Sequence, residues 1–132
     1  MKAPVFLTLE ETLAFHADQV RRYGGSLGVR DMGLLESALA VPQASFGGTW
    51  LHDGLAAMAA AYLFHIVRNH PFIDGNKRTG LMATLVFLGL NGLALEAGED
   101  ALTDLVLGVA SGQVSKAEAT VFIERHSRPR GK

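Results

Sequence analysis

Apolar residues recur through this chain at helical spacing, interrupted at regular intervals by capping residues and glycines. Thr8-Leu9-Glu10-Glu11 has the form of a capping box, in which a hydroxyl and a carboxylate each satisfy a free amide at a helix start. Leu9, Leu13, Phe15 and Val20 then draw a roughly helical stripe, closed by Arg21, Arg22 and the pair Gly24-Gly25. Asp31 can cap a second helix carrying Leu34, Leu35 and Leu39, which Pro42 ends. From Leu55 to Asn69 the run is almost uniformly apolar, the pattern of a central helix buried on most sides. Pro71 disfavours helical geometry at His70, so that helix stops there. A second buried helix begins near Asn76 or Lys77 and continues to Leu90, where Asn91-Gly92 supplies a stop. Ala101 to Ser111 predicts a fifth helix. The capping box Ser115-Lys116-Ala117-Glu118 opens a sixth, reaching about His126.

Between these segments, residues 43–53 read as a loop or short flap, and either 43–53 or 94–98 could form a hairpin. Ser127 to Lys132 reads as a loose basic tail. The expected architecture is all-α, a compact bundle of about six helices in one domain spanning residues 1–132.

Composition agrees with that reading. Apolar residues make up 48% of the 132 positions and aromatics only 8%, with Ala, Leu and Gly abundant, which favours close-packed helices over a β-sandwich. The net charge of −1 gives no field of the kind that gathers nucleic acid or a membrane surface. With no cysteine, neither a disulfide nor a thiolate zinc site is possible. The apolar windows near 55–67 and 81–90 are broken by Tyr, His, Thr and Gly and are too short to span a bilayer. The opening Met1-Lys2-Ala3-Pro4 is not followed by an apolar run of signal-peptide length, so a cytoplasmic protein is expected.

One short segment breaks the apolar monotony. His70-Pro71-Phe72-Ile73-Asp74-Gly75-Asn76-Lys77-Arg78 sets five polar or charged side chains between two apolar helices. It leads into a helix N-terminus, whose free amides and dipole form an anion site. Gly75 lets backbone approach a ligand, and Asn76 can cap the helix or donate its amide to a phosphate oxygen. Lys77 and Arg78 add positive charge at the same end, Arg in bidentate fashion. Asp74 is a hard oxygen ligand for a magnesium ion riding on phosphates. The His70 imidazole can take a proton from an attacking hydroxyl. Phe72 reads as the apolar anchor that holds the loop down. Each part alone has a plain reading as a turn or a solvated side chain; together they describe phosphoryl or nucleotidyl transfer.

The same nine residues resemble the signature of the Fic/Doc superfamily, His-x-Phe-x-(Asp/Glu)-Gly-Asn-x-Arg. The likeness extends over roughly residues 6–125 and is closest to the Doc toxin branch, through Arg22-Tyr23-Gly24-Gly25, Asp31 to Ala38, Asn76 to Thr79 and Val109 to Gly112. Lys77 stands where adenylylating members carry Gly, and Leu81 where they carry a second Arg; the Doc branch shares both changes. Gly75, by contrast, follows the Fic pattern, since the Doc toxin has Ala there. The resemblance implies ATP as substrate with Mg2+. It also implies γ-phosphate transfer to a hydroxyl of a protein, with translation elongation factor Tu as target. It makes His70 the general base and Asp74 the magnesium ligand, with Gly75, Asn76, Lys77 and Arg78 holding phosphate. Arg68 matches a basic Doc position and could contact phosphate or form a surface ion pair. An antitoxin whose flexible C-terminal segment folds into a groove is the implied partner. AMP transfer and a non-catalytic nucleotide- or antitoxin-binding module remain the alternatives.

Other residues have plainer readings. His16, His52, His65 and His126 share no ligand spacing; His65 reads as a satisfied core histidine and His52-Asp53 as cap chemistry. Trp50 and Phe46 could line a substrate channel or flap, but packing is the plainer reading. Thr120 to Glu124 resembles the core of the inhibitory helix of some Fic proteins, yet Arg125 follows in place of Gly or Asn, which favours an ordinary amphipathic helix.

Overall fold

The computed structural model describes residues 3–130 and places six α-helices among them. They are α1 (Leu9–Tyr23), α2 (Met32–Ala40), α3 (Leu55–Asn69), α4 (Asn76–Leu90), α5 (Glu99–Ser111) and α6 (Lys116–His126). A single 3-10 turn, Val41–Gln43, follows α2 around Pro42. Both capping boxes form, Thr8 with Glu11 and Ser115 with Glu118, and Asp31 accepts from the Leu34 amide at the start of α2. The fold is mostly α, as the hydrophobic pattern predicts.

Helix α3 is the axis of the molecule. Met58, Ala59, Ala60, Ala61, Tyr62, Leu63, Ile66 and Val67 are all buried, because α2, α4, α5 and α6 pack around it. Its alanines and the facing Gly80 of α4 let the two central helices approach closely. The buried Tyr62 hydroxyl accepts from the Leu7 amide at 3.0 Å and ties the segment before α1 to the core. Burial pushes the Tyr62 phenol up to about 12, so it stays a neutral hydrogen-bonding group. Asn91, ending α4, clasps Val5 through its side-chain oxygen and nitrogen at 2.8 and 2.9 Å.

Three elements depart from the pattern. On α1 the buried face is Thr12, His16, Gln19 and Val20, while Leu9, Leu13 and Phe15 are only partly buried against the core. The polar face turns inward because it meets the loop before α4, where His16 finds a partner. Residues 127–129 are not a loose tail: Ser127–Pro129 forms β4, antiparallel to β3 (Leu93–Leu95), with Ala94 opposite Arg128. Main-chain pairing makes this strand, and composition carries no trace of it. The last two tail residues lie outside the described residues. The segment near 94–98 therefore pairs with a distant strand and forms no hairpin of its own. The hairpin is at 43–53, where β1 (Ser45–Phe46) pairs with β2 (Thr49–Trp50). Trp50 meets the Phe6 ring edge-on at 5.4 Å, whereas Phe46 is 83% exposed.

No described helix is long and apolar enough to cross a membrane.

Candidate active site

The loop between α3 and α4 is fixed by contacts reaching in from three directions. His70, the C-cap of α3, adopts the left-handed conformation at φ 49° and ψ 53°, and among the described residues it alone does so without being glycine. Arg30 holds this reversal: its Nε donates to the His70 carbonyl at 2.6 Å and its Nη2 to the Asn69 carbonyl at 2.8 Å. The Pro71 carbonyl accepts from the Arg30 and Asp31 amides, and the Ile73 amide donates to the Gly28 carbonyl. Val29 and Phe72 thereby form an isolated antiparallel bridge, so that residues 28–31 run as a short strap along the loop.

Below the strap, Phe72 is buried as its anchor reading requires, and the His16 ring stacks on it at 3.9 Å, 6° from parallel. His16 Nε2 donates to the Asp74 carbonyl at 2.7 Å. Asn76 does not cap α4; that place belongs to Gly75, in the left-handed region at φ 78°. Instead the buried Asn76 amide closes a ring on Phe72, accepting from its N–H at 2.9 Å and donating to its carbonyl at 3.0 Å. At most one of its amide hydrogens is left for a ligand. With Asn76 turned back, no side chain caps α4, and its N-terminal amides face the loop without one.

Lys77 and Arg78 are exposed on the first turn of α4, Asp74 is exposed just before it, and His70 is exposed at the end of α3. The Asp74 carboxylate accepts from the Gly75 amide at 2.9 Å and the Ser26 amide at 3.3 Å. A Cβ on Gly25 would come within 2.6 Å of Asp74 Oδ2, so only glycine leaves that oxygen its place. The Arg78 guanidinium lies 5.0 Å over the Tyr23 ring. Lys77 borders a cleft of about 650 Å³ against α5, with Asp104, Gly108, Ser111 and Gln113 on its walls. A smaller apolar cleft beside it, lined by Leu81, Val106 and Leu107, also meets Lys77 and Arg78. Leu81 is half-buried there.

A magnesium–nucleotide complex fits this donor set in kind. No group of three or more His, Cys, Asp or Glu exists among the described residues to cage a metal, whereas Asp74 offers one exposed carboxylate beside an uncapped helix end. Magnesium is typically held by one or two carboxylates with phosphates supplying the rest. The Arg68 guanidinium lies on the Val109 and Ala110 carbonyls at the end of α5, at 3.4 and 3.2 Å, and forms no ion pair among the described residues.

Sequence reading missed His16, Arg30 and the Gly25-Ser26 pair. His16 stood on a helix with no ligand spacing to another histidine, so only its place on an inward polar face with Thr12 and Gln19 could have signalled it. His52 and His65 lie elsewhere, both with Nε2 at 3.0 Å from Lys116 Nζ; His52 thus takes no part in capping α3, whose N-cap is Gly54.

The Fic/DOC family model matches residues 6–88, which include α1, the strap and the whole loop. The chain belongs to the Fic/Doc family. Two relatives put it in the Doc branch. It is 47% identical over 78 residues to "Toxin Doc" of Mycolicibacterium smegmatis, a match spanning 59% of this chain and 60% of that one. It is 35% identical over 116 residues to "Protein kinase doc" of Escherichia phage P1, spanning 88% of this chain and 90% of that one.

Proposed function

We propose that this Fic/Doc chain is a Doc-type toxin that transfers the γ-phosphate of ATP to a hydroxyl of a protein target. The observation that carries the reading is the uncapped N-terminus of α4 with the exposed Asp74, Lys77 and Arg78 beside it, one short loop after the exposed His70 at the end of α3. In the proposed step the His70 imidazole accepts the proton of the target hydroxyl. The hydroxyl oxygen forms its bond to the γ-phosphorus as the bond to the β–γ bridging oxygen breaks, and ADP departs. Lys77, Arg78 and the α4 amides hold the phosphate oxygens, with Gly75 giving them access. Asp74, kept in place by the Gly75 and Ser26 amides, would hold Mg2+, which neutralises charge on the phosphates. Asn76 serves first to close the loop, with one amide hydrogen to spare.

Kinase chemistry is preferred over AMP transfer because Leu81 stands in an apolar cleft where the adenylylating pattern has a second cation. The phage relative's name, "Protein kinase doc", supports the same direction. By the Doc resemblance the target is elongation factor Tu in the cytoplasm, and an antitoxin with a flexible C-terminal segment restrains the toxin.

Incubation of the protein with purified elongation factor Tu and either α- or γ-labelled ATP tests the reading. Label is expected on the factor from the γ position alone; label from the α position alone would establish adenylylation instead. His70→Ala is expected to lower transfer about 10²- to 10⁴-fold, the range of a lost general base. Growth arrest that survives His70→Ala would make the protein a binding module.

A further inference from the structure

Arg30 lies outside the signature loop, forty residues before His70 in the chain, yet its guanidinium bonds the carbonyls of His70 and of Asn69 just before it. The two carbonyls it binds flank His70 on either side. The Asn69 carbonyl belongs to the peptide that sets φ of His70, and the His70 carbonyl to the peptide that sets ψ. A planar guanidinium that donates Nε to one and Nη2 to the other therefore fixes both angles together. Those angles are left-handed, a region that a residue with a side chain enters only when its surroundings impose it. The carbonyls are also free acceptors at the C-terminus of α3, the negative end of its dipole, where a guanidinium is doubly favoured.

We propose that Arg30 is the positioning residue for His70: it clamps the α3 C-terminus so that the imidazole is aimed at the reacting hydroxyl. This rests on the reading of His70 as the base. Arg30 itself touches no phosphate in this scheme. The main-chain ties of the strap, from the Arg30 and Asp31 amides to Pro71 and from Ile73 to Gly28, do not depend on the Arg30 side chain. Arg30 is exposed, so its truncation leaves the core untouched.

The test compares wild type, Arg30→Ala and Arg30→Lys in the full chain. NMR follows the α- and β-carbon shifts of His70, which report its φ and ψ, with His16 and His65 as internal references. Arg30→Ala is expected to move or broaden the His70 signals and leave the other two in place. In γ-phosphate transfer, kcat should fall about 10- to 100-fold, the range for a misaligned reacting group, while KM for ATP holds. Arg30→Lys keeps the charge without the planar fork and should remain impaired. Unchanged His70 shifts in Arg30→Ala would overturn the proposal, as would full rescue of kcat by lysine. Should wild type itself show no transfer, the proposed function fails, while the NMR comparison still decides whether Arg30 sets His70.

Discussion

Asn76 shows how much a single side chain can differ from its reading in sequence. Its place in the motif suggests a cap or a phosphate donor; in the fold it caps nothing, and its amide bonds both polar atoms of the Phe72 main chain. Those atoms are buried, so removing their partner leaves each unsatisfied. Asn76→Ala is expected to destabilise the protein by about 1–3 kcal/mol, read as a shift of the urea midpoint. Asn76→Asp keeps the acceptor but loses the donor, and should fall between. Wild-type stability in Asn76→Ala would mean that the ring on Phe72 contributes nothing. Gly25 is a second residue whose role only the fold reveals. Its φ of 110° and the 2.6 Å approach of a would-be Cβ to Asp74 Oδ2 both require glycine. Gly25→Ala is therefore expected to displace the Asp74 carboxylate and weaken magnesium-dependent transfer, seen as a raised Mg2+ requirement. An unaltered Mg2+ dependence would separate Asp74 from the metal.

At the scale of elements, most helix boundaries were legible because capping is local chemistry. Thr8, Asp31 and Ser115 each act within three residues of themselves, and Pro71 ends α3 through its own ring. Of the strands, only the local hairpin at 43–53 was legible; β3 and β4 were not, since they are joined by main-chain bonds across more than thirty residues. The close crossing of α3 and α4 lies between these cases. The alanine-rich run in α3 hints at tight packing, but which residue it meets is a tertiary fact. A Cβ on Gly80 would sit 2.7 Å from Val67 Cγ2, inside van der Waals contact. Ordinarily a glycine in a helix interior gives away about 1 kcal/mol relative to alanine. Here overpacking opposes that gain, and the β-branched Gly80→Val forfeits most of it. Gly80→Val is expected to lose about 1–3 kcal/mol by denaturant titration. Equal or higher stability would show that the helices can part without loss.

Across the whole molecule, the cluster of His52, His65 and Lys116 joins the segment before α3, α3 itself and the first turn of α6. Burial, reinforced by the neighbouring Lys116 ammonium, pulls His65 down to about 4 and lowers His52 below its usual value. Both imidazoles are therefore neutral acceptors in the native state. As pH falls below 6.5 the unfolded chain takes up protons that folded His65 refuses until about pH 4. Stability is thus full above about pH 6.5 and declines through that window. Melting temperature should drop on acidification from pH 7 to pH 5, and His65→Gln should flatten the slope; a slope unchanged by the substitution would place the acid sensitivity elsewhere. What the sequence by itself determined was the helical pattern, most of the caps and the identity of the polar loop, because each depends on residues near one another in the chain. The tertiary structure decided which groups hold that loop. His16 and Arg30 reach it from α1 and the strap, and Asn76 braces it through Phe72. Hydrogen bonds between residues so far apart in the chain leave no periodicity to read; they exist only once the core has brought α1, the strap and α3 together.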